Sequence, residues 1–428
     1  MEQHEAAIIG AGPAGLAAGA MLKRRAIEAV IIEAADRVGS SWGSHYDRLH
    51  LHTVRWLSGL PGLAIPRAFG KWVARDDVQR YLRLYAEHHD LKLRLRTEVR
   101  RLERQPHGWL LTTTGGPLAA QSLVIATGFN REPFLPDWPG RGGFTSELIH
   151  SSRYRNPQPY IDRSVLVVGT GNSGAEIAAD LAEGGARTVW LAVRTSPNIL
   201  RRDVGGFPSQ VLGVLMRPLP VGLVDRVTAV AQRVTVGDLS RYGLGRPARG
   251  MYRRLADDGV IPILDVGLIE AVKQRRVSIV AAVTGFDGAE VVLADGQRLR
   301  PDAVIAATGF RRGLEPLVGR FGLVRGNGLP SVHGPQTHPN APDLYFIGYS
   351  NPLSGNLREL GVDSRRIALH IARRHRELPW LSVSRIGSAE DAGDQRDRDQ
   401  HHDAGGRELE RALRDPGAQA VAKDDGDR

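Results

Sequence analysis

One glycine pattern occurs twice in this chain, each time between a short apolar run and a helical run. The first copy is Gly10-Ala11-Gly12-Pro13-Ala14-Gly15, between residues 6–9 and 16–24. The second is Gly169-Thr170-Gly171-Asn172-Ser173-Gly174, between residues 165–168 and 175–182. Alone, such a motif is weak. Between a strand and a helix, with a charged residue closing the next strand, it specifies a dinucleotide-binding βαβ unit. Both copies satisfy that context. Residues 29–32 form the next strand of the first unit and Glu33 ends it; residues 188–193 do the same in the second and Arg194 ends it. Each half then returns as a strand closing in Thr-Gly, at Thr127-Gly128 and at Thr308-Gly309. The chain is therefore predicted to be α/β, with two Rossmann-like dinucleotide-binding domains, the second inserted into the first. The predicted boundaries are 1–155 and 311–380 for the two parts of the first domain, 156–310 for the second, and 381–428 for a polar tail.

The loop chemistry follows from the glycines. Gly10 and Gly169 permit the tight turn, Gly12 and Gly171 let the backbone approach a pyrophosphate, and Gly15 and Gly174 let helix and strand pack closely. The helix N-terminus, opening at Pro13 and Ala14 in one unit and at Asn172 and Ser173 in the other, supplies free amides and a positive dipole end. Glu33 accepts hydrogen bonds from adenosine ribose hydroxyls and repels a 2′-phosphate, so the first site prefers FAD or NAD. Arg194, beside Thr195, can pair with a 2′-phosphate dianion, so the second site prefers NADPH to NADH. Arg201 and Arg202 are weaker candidates for the same phosphate.

Composition removes several function classes. The 428 residues include no cysteine, which excludes a disulfide framework, a thiolate metal site and the dithiol of flavin disulfide reductases. No metal is expected. The formal charge is +10, but the basic residues are scattered without interleaved aromatics, so nucleic acid is not an expected partner. No apolar run approaches the ~18–20 residues that span a bilayer. The first residues lack a basic and apolar leader pattern, so the expected location is cytoplasmic. Residues 76–88 read as an amphipathic helix with Val78, Leu82 and Tyr85 on one face. Residues 221–236 carry a stripe of Leu223, Val224, Val227, Val230 and Val234, read as an inter-domain packing helix, with a membrane-surface helix as the rival. No aromatic follows Trp380, and the polar tail is expected to be largely disordered, with a short helix near 407–414.

Taken together, Gly10 to Gly15, Glu33, Gly169 to Gly174 and Arg194 resemble the class B flavoprotein monooxygenases. The stretch from Phe144 to Tyr154 is similar to the family linker F-x-G-x-x-x-H-x-x-x-(aromatic or Pro): Phe144, His150 and Tyr154 match, and Ser146 replaces the glycine. Tyr154 in place of tryptophan points away from Baeyer–Villiger enzymes and toward the heteroatom-oxidising and plant YUCCA-like branches. Tyr46 to His52, Gly169 to Glu176, Tyr242-Gly243-Leu244, Arg246-Pro247 and Pro262 to Gly267 also look YUCCA-like.

The resemblance spans roughly residues 5–374. It implies FAD and NADPH as cofactors, with O2 and a small organic molecule as partners. One oxygen atom would pass from a C4a-(hydro)peroxyflavin to the substrate, by hydroxylation, heteroatom oxidation or oxidative decarboxylation. It also implies site residues. Trp42, Thr127, Gly128, Thr308 and Gly309 join the cofactor-binding set. His52, where animal relatives carry asparagine, is a candidate to orient NADP⁺ or the peroxide, and otherwise a structural loop histidine. Asn172 either meets the nicotinamide or caps its helix. His150 anchors the hinge between domains. Gly348, followed by Tyr349-Ser350 rather than aspartate, and Asn356 would lie at the flavin, where a helix N-terminus stabilises negative charge. Three alternatives stay open: Baeyer–Villiger insertion, an NADPH-oxidising redox sensor with the tail as partner contact, and an NADPH oxidase releasing peroxide. A homo-oligomer is also left open.

Overall fold

The structure, a computed structural model, describes residues 1–216, 219–352 and 354–377. The expected polar tail and its short helix lie outside the described residues.

Strand β1 (Glu2–Ile9) is buried from Ala6 onward and runs into the first glycine loop. Helix α1 (Pro13–Lys23) opens on a proline, which needs no amide partner at that position, and its small residues are buried on nearly every side. Strand β2 (Ala29–Ile32) follows. Helix α2 (Arg75–His88) buries Val78, Leu82 and Tyr85, the face read from periodicity, together with Tyr81. Strands β3 (Lys92–Arg94), β4 (Val99–Gln105), β5 (Gly108–Thr113) and β6 (Gly116–Ile125) complete this part of the chain.

The next part carries β7 (Glu147–His150), β8 (Ser164–Val168), α3 (Asn172–Glu183) and β9 (Thr188–Val193). An inserted segment contributes β10 (Ile199–Arg201), α4 (Ser209–Leu215), α5 (Val221–Thr235), α6 (Met251–Asp258) and β11 (Ile263–Asp265). It is followed by α7 (Leu268–Lys273), β12 (Val277–Ala281) and β13 (Ala303–Ala306). The described chain closes with β14 (Leu344–Phe346) and α8 (Asn356–Glu377).

These strands form two main sheets. The seven-stranded sheet has the order β3-β2-β1-β6-β5-β4, with β14 also on β6. Its strands β3, β2, β1 and β6 are parallel, and β5 and β4 add an antiparallel ribbon. The length of β6 allows both of its partners on one edge, β5 over Gly116–Ala120 and β14 over Leu123–Ile125. The five-stranded sheet has the order β12-β9-β8-β13-β7, all parallel. All its strands lie in sequence between β6 and β14, so the second sheet is inserted into the first. Strand β7 pairs in the second sheet although it precedes residue 156. In each sheet the strand order reverses beside a glycine loop, at β1/β6 and at β8/β13, which is where open α/β sheets place their ligands.

The sequence repeat is also a repeat of geometry. Gly10 and Gly169 have φ of +109° and +113°, and a Cβ on either would lie 2.5 Å from a carbonyl oxygen, that of Ala126 or Ala307. A Cβ on Gly15 would lie 1.9 Å from the Gly10 oxygen, and one on Gly174 2.0 Å from the Gly169 oxygen. Above Gly12 and Gly171 there is nothing within 4 Å.

The inserted segment departs from expectation. Helix α5 buries Val224 and Thr228, whereas Leu223, Val227, Val230 and Val234 are exposed, Val234 to 80%. The apolar stripe is therefore not an inter-domain packing face. An amphipathic pattern reports a preferred face but not what covers it.

Gly15→Ala forces a Cβ into backbone that has no room to give, and is expected to destabilise the flavin-free protein by at least about 2 kcal/mol in urea unfolding. Gly12→Ala, with open space above it, should leave that unfolding midpoint unchanged while weakening flavin retention. Equal midpoints for the two variants would contradict the packing assigned to Gly15.

Candidate active site

A cavity of about 530 Å³ lies over the first glycine loop. Gly10, Gly12, Pro13, Ala14 and Glu33 line one side of it; Thr127 and Gly128, just past the end of β6, and Gly348 line the adjoining edge. Helix α8 begins at Asn356, and Asn356, Leu357 and Leu360 also line the cavity. Trp42, on the single turn Ser40–Gly43, faces it and packs against the core clusters of both sheets. His52 and Asn172 stand where the two halves meet. The far wall comes from the inserted segment, with Leu200, Val204, Leu212, Met216, Val227 and Tyr252.

Glu33 is held by the loop it serves. Its Oε2 accepts the Ala11 amide at 2.7 Å and its Oε1 the Ala35 amide at 2.9 Å. A carboxylate fixed in this way keeps lone pairs for the hydroxyls of a ribose. Gly15 does not reach the cavity; its role is the close packing of α1 on β1. The open space over Gly12, the pinned carboxylate and the helix N-terminus between them fit the adenosine diphosphate portion of FAD.

Of the second loop, Asn172 alone lines the cavity; Gly169, Gly171, Ser173, Gly174, Arg194 and Thr195 lie elsewhere, around α3 and the end of β9. Arg194 is exposed and its side chain has no hydrogen bond or ion pair among the described residues. It follows β9 as Glu33 follows β2 and its guanidinium is unengaged, while the space over Gly171 is open, an arrangement that fits NADPH. Asn172 does not cap its helix. The N-cap is Gly171, and the Asn172 side chain instead accepts the Leu264 amide at 2.8 Å and donates to the Pro262 oxygen at 3.5 Å. Sitting one residue past the cap, it faces the β11 backbone and fastens the inserted segment to α3.

The two Thr-Gly strand ends diverge. Thr127 Oγ1 lies 2.8 Å from the Tyr349 hydroxyl at the cavity. Thr308 donates to the Phe134 oxygen, and the Gly309 oxygen accepts from the Phe134 amide at 3.0 Å and from His150 at 2.9 Å. Because His150 Nδ1 accepts the Ser152 amide at 3.1 Å, Nε2 carries the proton that goes to Gly309. Thr308 and Gly309 thus serve the crossing between the sheets. Burial holds the His150 imidazole below its usual value. His45, which lines the cavity, is also lowered, chiefly by burial and then by Arg155 and Arg75.

Sequence reasoning missed a set of contacts on one face of α3. Glu176, Asp180 and Glu183, spaced i, i+4 and i+7, take up the segment that leads to the cavity. Tyr46 donates to Glu176 at 2.8 Å, His52 Nε2 lies 2.7 Å from Glu176, and Arg48 reaches Asp180 at 3.3 Å and Glu183 at 2.9 Å. Tyr154 donates to Asp180 at 2.7 Å. Three acids at helical spacing were the available signal. Gln210 was also missed; its side chain accepts the Val54 amide at 2.8 Å and donates to the Ser354 oxygen at 2.7 Å.

Residues 7–204 match the family described as pyridine nucleotide-disulphide oxidoreductase. Without a cysteine, this chain shares the dinucleotide-binding fold of that group but not a dithiol. The chain is 32% identical over 392 residues to indole-3-pyruvate monooxygenase YUCCA1 of Oryza sativa subsp. japonica, covering 90% of this chain and 96% of that one. It belongs to the YUCCA-type flavin monooxygenases. A solved flavin-containing monooxygenase from Stenotrophomonas maltophilia superposes with a TM-score of 0.67 at 25% identity, over 86% of this chain and 99% of that one. A cyclohexanone monooxygenase superposes with a TM-score of 0.67 at 19% identity, over 88% and 89%, a likeness of fold alone. The protein is an FAD-dependent oxidoreductase, and FAD and NADP(H), expected from the sequence, are the cofactors of its family. Among the described residues no helix is long and apolar enough to cross a membrane.

Arg194→Ala is expected to raise the KM for NADPH at least about tenfold, the scale of a lost charge-assisted contact to phosphate, and to leave NADH use nearly unchanged. An equal loss with both cofactors would remove Arg194 from the phosphate site. The lowered His150 predicts acid sensitivity. The neutral imidazole favours the folded state fully above the ordinary value near ~6.5, and that contribution is lost as pH falls below it. Thermal midpoints at pH 7.5 and 5.5 should therefore converge in His150→Gln relative to the parent protein, on a lower baseline; parallel losses would rule the hinge histidine out as a source.

Proposed function

We propose that the protein uses NADPH and O2 to insert one oxygen atom into a small organic acid, ketone, amine or sulfide with an apolar body. The first candidate is an aromatic 2-oxo acid oxidised with loss of carbon dioxide. The observation that carries this reading is the continuity of the cavity. One space of about 530 Å³ joins the first glycine loop to an apolar wall from the inserted segment, with His52 and Asn172 between them. The relatives, described as indole-3-pyruvate monooxygenases, supply the first substrate to try.

FAD, when bound, supplies the transfer of electrons from NADPH and the activation of O2. The chain supplies the rest. Gly10, Gly12 and Glu33 hold the adenosine end of FAD, over a loop that Gly15 packs from behind; Trp42, Thr127, Gly128, Gly348 and Asn356 border the remainder of its path. Gly169, Gly171, Gly174 and Arg194 hold NADPH. Leu200 and Met216, with Val204 and Val227 at the exposed rim, give the substrate an apolar wall. His52 meets the reacting groups at the junction. For a 2-oxo acid the balance is one O2 and one NADPH with a proton per turnover, giving the shortened acid, carbon dioxide, water and NADP⁺. The division into an FAD part over 1–155 and 311–380 and an NADPH part over 156–310 belongs to the same proposal, with β7 assigned to the NADPH part by its pairing. So does a cytoplasmic location, where the reaction can draw on NADPH.

The test follows NADPH consumption, product and hydrogen peroxide together, with indole-3-pyruvate, a sulfide and a cyclic ketone. Substrate-stimulated NADPH loss matched mole for mole by oxygenated product is the expected result. A lactone from the ketone alone would shift the reading to Baeyer–Villiger insertion. Peroxide equal to NADPH consumed, whatever is added, would make the protein an oxidase.

A further inference from the structure

We infer that Glu176 is a positioning residue: it fixes His52 as the Nε2–H tautomer, so that Nδ1 serves the cavity as a hydrogen-bond acceptor. The inference rests on the flavin monooxygenase reading and assigns a role to a side chain outside the cavity lining.

Glu176 is 3% exposed, on the helix that the second glycine loop opens. Its two oxygens face two different donors: Oε2 accepts from the Tyr46 hydroxyl at 2.8 Å, and Oε1 lies 2.7 Å from His52 Nε2. A carboxylate accepts and cannot donate, so the proton of a neutral His52 sits on Nε2 and Nδ1 keeps its lone pair. Nδ1 is buried and has no partner among the described residues, and His52 lines the cavity. A buried acceptor without a donor is costly to leave unmet. A cavity ligand that brings an N–H or O–H to this point relieves it, and two bound molecules carry such groups: the nicotinamide carboxamide and a hydroxylated or N–H-bearing substrate. The carboxylate fixing the imidazole stands on the same helix whose N-terminus faces the NADPH phosphates. Orientation of His52 and placement of the nicotinamide nucleotide therefore depend on one rigid element, a second-layer arrangement of the kind that orients metal-binding histidines.

The neighbours on this face separate positioning from simple clamping. Arg48 ties the same segment to Asp180 and Glu183 without touching His52. Glu176 also acts electrostatically on His45 and on Arg202, in each case favouring the charged form.

The test uses the FAD-loaded protein labelled with ¹⁵N-histidine, the His52 signals being identified by their loss in His52→Asn. The expected spectrum shows a protonated Nε2 and an unprotonated Nδ1, and NADP⁺ or indole-3-pyruvate, added separately, should move the Nδ1 signal. The ligand that moves it identifies the source of the donor. A protonated Nδ1, whether Nε2 is bare or also protonated, or an Nδ1 signal indifferent to both additions, would overturn the inference. This readout needs no turnover, so it stands or falls apart from the oxygenation assay. In turnover, Glu176→Leu should lower kcat about tenfold with KM for NADPH within about twofold, as loss of an orienting partner does. Glu176→Gln, whose amide oxygen can still accept from His52, should restore most of kcat. Arg48→Met should lower the thermal midpoint and leave kcat unchanged. A loss in Glu176→Leu that Glu176→Gln does not repair, or that Arg48→Met reproduces, would reduce Glu176 to a clamp.

Discussion

Helix α1 can begin where it does because Gly15 has no side chain. A Cβ there would lie 1.9 Å from the Gly10 carbonyl oxygen, and the same contact recurs at Gly174 against Gly169 at 2.0 Å. Close approach of helix to strand aims the first amides of each helix into the open space over Gly12 and Gly171. It also fixes which face of α3 looks toward the first sheet. Glu176, Asp180 and Glu183 lie on that face, and Tyr46, Arg48, His52 and Tyr154 bind to them. One pair of glycine contacts thus shapes both glycine loops, and through α3 it sets where the segment carrying His52 must run.

The cavity is built from distant parts of the chain, and polar ties keep them in register. Gln210 joins α4 to the backbone at Val54 and Ser354. Lys71 pairs with Asp203, and the Arg202 guanidinium lies 4.5 Å over the Trp72 ring. Asp225 on α5 accepts the Tyr252 amide at 2.7 Å and the Arg253 amide at 3.3 Å, capping α6 from a neighbouring helix because Gly250 cannot. Gln210 and Asp225 act on backbone groups, and Lys71 and Arg202 on side chains, so the roof is tied down by polar and cation–ring contacts as well as by packing. That is consistent with α5 leaving most of its apolar stripe uncovered on the solvent side while Val227, Thr228 and Ala231 line the cavity.

The parts of the fold that were legible in the sequence are those encoded locally. The glycine loops, the strands before and after them, and helix α2 follow from spacing within a dozen or so residues. The ribbon of β4 and β5 escaped because β4 is rich in arginine and glutamate and half solvent-facing, so no apolar alternation marks it. The covering of α5 escaped because its pattern is the same for a core, a cavity or a membrane surface. The capping alternative for Asn172 fails, and sequence alone does not separate the two because a helix cap and a link to β11 call for the same side chain at nearly the same place. The pair of His52 and Glu176 was out of reach: neither residue carries a local pattern that names the other, and only the docking of α3 brings them together.

The linker shows how an imperfect motif can still be held firmly between the two sheets. Ser146 stands where the family pattern has glycine, but its backbone is not in the left-handed region, so this turn has no need of glycine. His150 and Tyr154 carry the load instead. His150 bridges Ser152 and Gly309, tying β7 to the end of β13. Tyr154 stacks on Tyr160 at 5.9 Å and donates to Asp180, which also receives Arg48. A phenol reaches that carboxylate from the linker with a single terminal hydroxyl. An indole at the same place would have to present its N–H from the side of a larger ring, displacing Tyr160 or Tyr46, which is 6.4 Å away. The choice of tyrosine at the end of the linker is therefore coupled to the acid face of α3, and through Glu176 on that face to the imidazole in the cavity.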